Sequence, residues 1–233
     1  MRKKLLVAMT GVERYPEQNR AAGIWLGEVV HFVSRVEQAG YQVDYISPRG
    51  GYTPLDPLSL QLAGEMEWAW YQDKGFMRRL SLSLAPEEVR AADYLAVYYA
   101  GGRGALWDLP TSPGLQAIAR YIFEHDGYVA AVGHGVAGLL NIRLASGDHL
   151  IYGREITGFS NEEEALCGQD QVVPFLTETE LLGRGALYRK AAEPWVSHVA
   201  MDGRLITGQN PASAGEVASC LVRALQAQPV LVA

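Results

Sequence analysis

Short strand-like runs alternate with longer stretches of helical spacing along this chain, and the alternation is the feature that most restricts its fold. The β-branched or aromatic runs are residues 5–9, 41–46, 94–99 and 128–132. The stretches with an apolar helical face are residues 24–38, 112–125 and 212–227. Strands that alternate with helices in this way form a parallel sheet covered on both faces. The sequence therefore predicts an α/β fold with a doubly wound, mainly parallel sheet flanked by helices on both faces.

Composition narrows the class of protein further. The 233 residues are 48% hydrophobic and show no break in composition, which predicts a single domain over residues 1–233. A net charge of −6 with scattered Lys and Arg argues against nucleic acid as a partner, and no apolar run is long enough to span a membrane. The two cysteines, Cys167 and Cys220, provide neither a disulfide framework nor the spacing of a metal site. We therefore expect a cytoplasmic protein.

The run at 128–132 ends in a glycine-rich turn, AAVGHG at residues 130–135. A tight turn between a strand and a helix presents one side chain at the carboxyl end of the sheet, beside backbone N–H groups that can stabilise negative charge. The presented residue usually has a positive φ, which is strained for every residue except glycine. Here it is Gly133, which has no side chain to react. Taken alone, the turn is more simply a structural connection than an active site.

Two further segments have a predicted structure. Residues 58–85 are predicted to form helical segments packed over the site, and residues 195–207 are predicted to form a hairpin that turns at residues 202–203.

Two other polar residues allow a structural and a functional interpretation. Glu28 shares a helix face with Trp25 and Phe32, so its carboxyl is either solvated at the rim or buried with a raised pKa. Arg103, in the glycine loop at residues 101–104, either binds a carboxylate or covers the edge of the sheet. Both alternatives stay open on the residues alone.

The acidic run Glu162, Glu163 and Glu164 would ordinarily form the solvated first turn of a helix. Cys167 follows it closely and is disfavoured as a displaced nucleophile, because neighbouring carboxylates raise the pKa of a thiol. His134 follows an apolar strand and is as easily a structural histidine as a catalytic one.

Seven segments, taken in order, resemble the ThiJ/PfpI (DJ-1/PfpI) superfamily, and most closely its glyoxalase III and heat-shock chaperone branch. They are residues 23–28, 47–51, 56–59, 101–109, 131–135, 157–164 and 207–214. The resemblance implies the class I glutamine amidotransferase-like, flavodoxin-like fold. The family elbow reads AVCHG where this chain has AVGHG, so the nucleophilic cysteine corresponds to Gly133. Arg103 stands where the family usually has histidine.

In this branch a cysteine thiolate attacks an aldehyde carbonyl, and methylglyoxal becomes lactate with no cofactor and no metal. The resemblance implies that Glu28 is the proton shuttle and that His134 stands beside the nucleophile. It also implies that Glu162 or Glu163 orients His134. The backbone N–H groups of the two glycine turns, with Gly102, Arg103, His134 and Gly135, would then bind the substrate oxygen. Family members commonly form homodimers, so we expect one here.

Covalent catalysis needs an attacking atom, so the glycine at the elbow argues against the usual lyase or hydrolase activity. Three hypotheses follow. The chain is a binding or chaperone-like protein for small carbonyl compounds or unfolded clients, or an enzyme that uses Glu28 and His134 as acid and base without cysteine. Alternatively, it is a deliberately substituted form of an active glyoxalase III or amidase-like enzyme.

Overall fold

The protein is described from a computed structural model, which covers residues 4–16 and 18–227. Its centre is a six-stranded sheet in the spatial order β2 (42–46), β1 (4–8), β3 (94–99), β4 (128–132), β8 (205–208) and β7 (199–202). The neighbouring pairs β2/β1, β1/β3, β3/β4 and β4/β8 are parallel, and the hairpin partner β7 runs antiparallel to β8. The predicted doubly wound, mainly parallel α/β fold is confirmed.

The strands of the main sheet are short and largely buried. They are β1 Lys4–Ala8, β2 Gln42–Ile46, β3 Tyr94–Tyr99, β4 Tyr128–Val132, β7 Val199–Asp202 and β8 Leu205–Gly208. A separate two-stranded parallel pair consists of β5 Glu155–Ile156 and β6 Leu187–Tyr188. The predicted strands β3 and β4 have the bounds that the sequence indicated, and the predicted hairpin turn at residues 202–203 joins β7 to β8.

The helices cover both faces of the sheet. They are α1 Leu26–Gln38, α2 Pro57–Gln61, α3 Glu65–Gln72, α4 Lys74–Ser81, α5 Ala105–Asp108, α6 Pro113–Glu124, α7 Asn161–Leu166, α8 Thr177–Gly183 and α9 Ala214–Ala227. Helices α1 and α9 pack on one face, and α6 packs on the other with the 3-10 turn Gly133–Leu139. Among the described residues, no helix combines the length and the apolar character needed to cross a membrane.

The region between β2 and β3 is helical, as predicted, but most of it does not lie over the site. Of its side chains, Leu58 and Leu62 reach the cavity described below. The aromatic side chains Trp70 and Phe76 instead pack on the sheet face beneath α1, because α3 and α4 fold back toward β2.

The carboxyl ends of β3 and β4 lie side by side, which brings two glycine turns together. The loop at residues 101–104 follows β3, and the elbow at Gly133 follows β4. In parallel α/β sheets, ligands bind in the crevice at this edge. The fold therefore places the predicted site residues at the edge where a ligand site is expected.

Candidate functional site

The elbow glycine has the backbone that the sequence predicted. Gly133 has a φ of +54°, in the left-handed region that a residue with a Cβ adopts only with strain. A Cβ added there would lie 2.7 Å from Glu28 Oε1. The space that a side chain at the elbow would need is therefore already partly occupied by a carboxyl oxygen.

Glu28 reaches this position from the first turn of α1. The start of α1 is held at the sheet edge because Trp25 N donates to Gly101 O (2.9 Å) and the Tyr98 hydroxyl donates to Glu28 O (2.9 Å). The carboxyl is buried, with 1% of the residue exposed, and Gly101 N donates to its Oε2 at 2.5 Å. This bond and the position of Oε1 fix the carboxyl over Gly133.

Burial raises the pKa of Glu28 to about 8, against the smaller opposite effect of the N–H of Gly101. At neutral pH Glu28 is therefore mainly a neutral carboxylic acid, which can donate a hydrogen bond as well as accept one. The two interpretations left open by the sequence are resolved in favour of the buried carboxyl with a raised pKa.

The glycine loop after β3 requires its glycines because backbones approach closely there. Gly102 has a φ of +107°, and a Cβ on it would lie 2.3 Å from Gly23 O. A Cβ on Gly101 would lie 2.9 Å from the backbone nitrogens of both His134 and Gly135. The two turns are thus packed against each other, while binding of a substrate oxygen by Gly102, Arg103 or Gly135 stays a prediction.

On the other side of the elbow, three side chains form a buried hydrogen-bonded chain. His134 Nε2 donates to Glu164 Oε2 (2.5 Å), and Arg103 Nε donates to Glu164 Oε1 (2.8 Å). Burial alone would raise the pKa of Glu164, but the charges and hydrogen bonds of His134 and Arg103 outweigh it and lower that pKa to about 2. Glu164 is therefore an ionised carboxylate that only accepts hydrogen bonds. Arg103 binds a carboxylate, which is one of the two alternatives its sequence position allowed.

The prediction that Glu162 or Glu163 contacts His134 is wrong, because Glu164 does so. Glu162 lies on the outside of α7 and pairs with Lys190 Nζ at 3.0 Å. Glu163 is buried, but both its carboxyl oxygens bind elsewhere: Oε2 accepts from Ser160 and Oε1 accepts from Trp195 N and Asn210 Nδ2. The expected solvated helical turn therefore has two buried members, Glu163 and Glu164.

A cavity of about 390 Å³ opens beside the elbow. Its polar lining includes Glu28, Arg103 and His134, and Cys167 also borders it. Its walls are mostly apolar or aromatic, formed by Trp25, Leu58, Leu62, Phe159, Trp195, Pro211 and Ala212. The sequence analysis did not predict that Glu164 contacts His134 or that these apolar residues line the cavity. Several of these residues lie in the segments at 23–28, 157–164 and 207–214, but Trp195 lies in a loop that carries no periodic signal.

The geometry agrees with comparisons against known proteins. The family model described as DJ-1/PfpI family matches residues 21–224. This chain belongs to the DJ-1/PfpI family. It is 34% identical to the glutathione-independent glyoxalase HSP31 of Saccharomyces cerevisiae, over 96% of this chain and 98% of that protein.

Solved structures of related proteins share the fold of this chain. Rapid Encystment Protein 24 kDa of Francisella tularensis superposes with a TM-score of 0.92 at 33% identity, over 96% of this chain and 99% of that one. Glyoxalase III of Candida albicans superposes with a TM-score of 0.88 at 26% identity, over 95% and 96% of the two chains. The chain is therefore glyoxalase III-like in sequence and fold, and its fold is the class I glutamine amidotransferase-like fold that the sequence predicted.

Proposed function

We propose that this DJ-1/PfpI family member binds small carbonyl compounds without forming a covalent bond at the elbow, and that it does not carry out the cysteine-dependent conversion of methylglyoxal to lactate. The observation that carries the proposal is Gly133, with its φ of +54° and with Glu28 Oε1 2.7 Å from the place that a Cβ would take. A thiohemiacetal requires a sulfur atom that attacks the carbonyl carbon. The elbow offers none.

The groups around Gly133 support binding of a carbonyl oxygen. Glu28 is mainly protonated at neutral pH, so its carboxyl can donate to such an oxygen. The charge of Arg103 is paired with Glu164, so the polar lining carries little net charge toward a ligand. An uncharged carbonyl compound fits this lining better than an anion does.

A second candidate function is cysteine-independent acid and base catalysis by Glu28 and His134. A pKa of about 8 for Glu28 favours it, because a general acid or base works best when its pKa lies near the operating pH. His134 Nε2 donates to the Glu164 carboxylate, so the ring nitrogen that would act as the base in this mechanism is Nδ1. Such an enzyme would act on a carbonyl substrate or activate water.

The test compares the unmodified chain with the variant Gly133→Cys. The thiol pKa of the variant is measured in a background in which Cys167 and Cys220 are both substituted. Incubation of the unmodified chain with methylglyoxal should form no lactate, while calorimetry should detect hydroxyacetone binding that Glu28→Ala weakens. Gly133→Cys should have a thiol of unusually low pKa. Gly153→Cys, at an exposed glycine with a similar φ of +68°, is the matched control and should keep a thiol pKa near about 8.5.

Each outcome separates the hypotheses. Lactate formation by the unmodified chain would overturn the proposed loss of glyoxalase activity. Turnover of another carbonyl substrate that disappears in both Glu28→Gln and His134→Ala would establish the acid and base alternative.

A chaperone-like role is a separate hypothesis with its own assay. The unmodified chain should suppress aggregation of a heated client protein if it binds unfolded chains, and a null result would leave small-molecule binding alone. The expected homodimer and the cytoplasmic location stay predictions.

A further inference from the structure

The outer wall of the cavity is an indole whose backbone is strained. Trp195 has a φ of +65°, and in the described part of the chain only one other non-glycine residue, Asp126, has a positive φ. A bulky side chain in this region of φ and ψ is a genuine outlier, because its Cβ crowds the backbone. Such a conformation persists only where the surroundings hold it, and strained residues of this kind concentrate at functional sites.

The residue that holds this conformation is Glu163. Its Oε1 accepts from Trp195 N (2.9 Å) and from Asn210 Nδ2 (2.8 Å), and its Oε2 accepts from both Ser160 N and Ser160 Oγ (3.0 Å each). Glu163 is fully buried, and Asn210 Nδ2 also donates to Val196 O (2.9 Å). These bonds are separate from the chain of His134, Glu164 and Arg103. They fix the loop that carries Trp195 over the cavity.

The indole is connected to the elbow through one aromatic ring. The Trp195 and Phe159 ring centroids are 5.8 Å apart, and those of Phe159 and His134 are 4.2 Å apart. Trp195 is still 46% exposed, so a large share of its surface can be covered by a ligand. The cavity, at about 390 Å³, lies in the range of roughly 300–1,000 Å³ that holds ligands much larger than a three-carbon compound.

We propose that Trp195 is a specificity-determining residue that selects uncharged carbonyl compounds bearing a flat apolar group of about the size of a phenyl ring, with Glu163 as the positioning residue that keeps the indole over the cavity. The inference rests on the proposed function, because the carbonyl end is assigned to Glu28. The phenyl-sized group lies between Trp195, Phe159 and the apolar wall at Leu58 and Leu62.

Two probes that differ only by phenyl in place of methyl test this assignment: 2-hydroxyacetophenone and hydroxyacetone. Calorimetry on the unmodified chain should give a Kd roughly tenfold or more lower for 2-hydroxyacetophenone, which corresponds to one favourable aromatic contact and the burial of the ring. The ratio of the two Kd values is the readout, because general destabilisation of the protein, away from the Trp195 loop, would weaken both ligands and leave the ratio unchanged.

Four variants separate the ring from the backbone. Trp195→Asn removes the ring but keeps a residue that tolerates positive φ, so the ratio should fall to about twofold without a lower Tm. Trp195→Phe keeps a ring and should keep most of the ratio. Glu163→Gln sets an N–H group against a donor, since an amide has one acceptor oxygen, and should reduce the ratio as Trp195→Asn does. Glu162→Gln, in the same helical turn, should leave the ratio unchanged.

The failures are distinguishable. If neither probe binds the unmodified chain, the proposed carbonyl-binding function is overturned, and the inference with it. If both probes bind with equal Kd, or if Trp195→Asn and Glu163→Gln leave the ratio unchanged, the role of Trp195 is overturned while carbonyl binding stands.

Discussion

Glu28 and Glu164 lie on opposite sides of the same elbow and are both almost fully buried, but at neutral pH Glu28 is mainly uncharged while Glu164 is a carboxylate. Glu28 has one backbone N–H and, among residues 4–16 and 18–227, no cationic partner, and burial raises its pKa to about 8. Glu164 is held between Arg103 and His134, which lower its pKa to about 2. Burial acts on both carboxyls, so the difference between them comes from the hydrogen bonds and charges of their partners. One side of the elbow is suited to give a proton, and the other holds a fixed negative charge.

The largest effect should come from removing the charged member of this pair. Glu164→Ala leaves the Arg103 guanidinium buried without its carboxylate and His134 Nε2 without its acceptor, so we expect it to lower the free energy of unfolding by about 3–5 kcal/mol. Urea denaturation measures the change. The matched control is Glu162→Ala, which removes a half-exposed pair with Lys190 and should cost less than about 1 kcal/mol. Equal losses in the two variants would contradict the buried chain.

A second prediction concerns the pH dependence of the two carboxyls. The folded-state pKa of Glu28 lies above its ordinary value, so its stabilising contribution is complete below about pH 4.5 and is lost as the pH rises to about 8. Glu28→Gln abolishes this dependence. The free energy of unfolding of the variant, minus that of the unmodified chain, should therefore rise by roughly 1 kcal/mol per pH unit between pH 5 and 8.

Glu164 should show the opposite window. Its folded-state pKa is lowered, so its contribution is present above about pH 4.5 and is lost as the pH falls toward 2. Denaturation curves of the unmodified chain and Glu164→Gln should therefore converge on acidification.

A Glu28→Gln variant whose stability stays parallel to that of the unmodified chain from pH 5 to 8 would show that Glu28 is ionised in the folded protein.

The smallest effect isolates the contact between Glu28 and the elbow. Gly133→Ala and Gly153→Ala both place a Cβ at positive φ, which costs about 1–2 kcal/mol. At Gly153, however, no described residue has an atom within 4 Å of the added Cβ. The Cβ at Gly133 meets Glu28 Oε1 at 2.7 Å, so Gly133→Ala should cost more by about 1 kcal/mol. That excess should vanish when Glu28→Ala is added, as a double-mutant cycle can measure. An excess that persists would place the conflict elsewhere in the elbow.

Much of the frame was predictable from the sequence. The buried runs at β3 and β4 are continuous and apolar, and the glycine at residue 133 indicated the positive φ that the elbow adopts. Glu28 could be predicted because its segment resembles the family, while its burial follows from α1 packing on β3.

The partner of His134 could not be predicted in the same way. Glu162, Glu163 and Glu164 are identical residues, so the choice among them depends on the rotation of α7, which sequence pattern does not determine. Trp195 was missed because its position depends on hydrogen bonds to Glu163 and not on local propensity.

The cap at Ser160 has a consequence for this choice. Ser160 Oγ accepts from Glu163 N at 3.1 Å and fixes the residue at which α7 begins. Successive residues of a helix point about 100° apart, so the three glutamates face Lys190, the Trp195 loop and the buried pair of Arg103 and His134 in turn. A shift of α7 by one residue would exchange all three destinations at once. The residue at which α7 begins therefore decides which glutamate meets which partner, and the Ser160 hydroxyl fixes that residue.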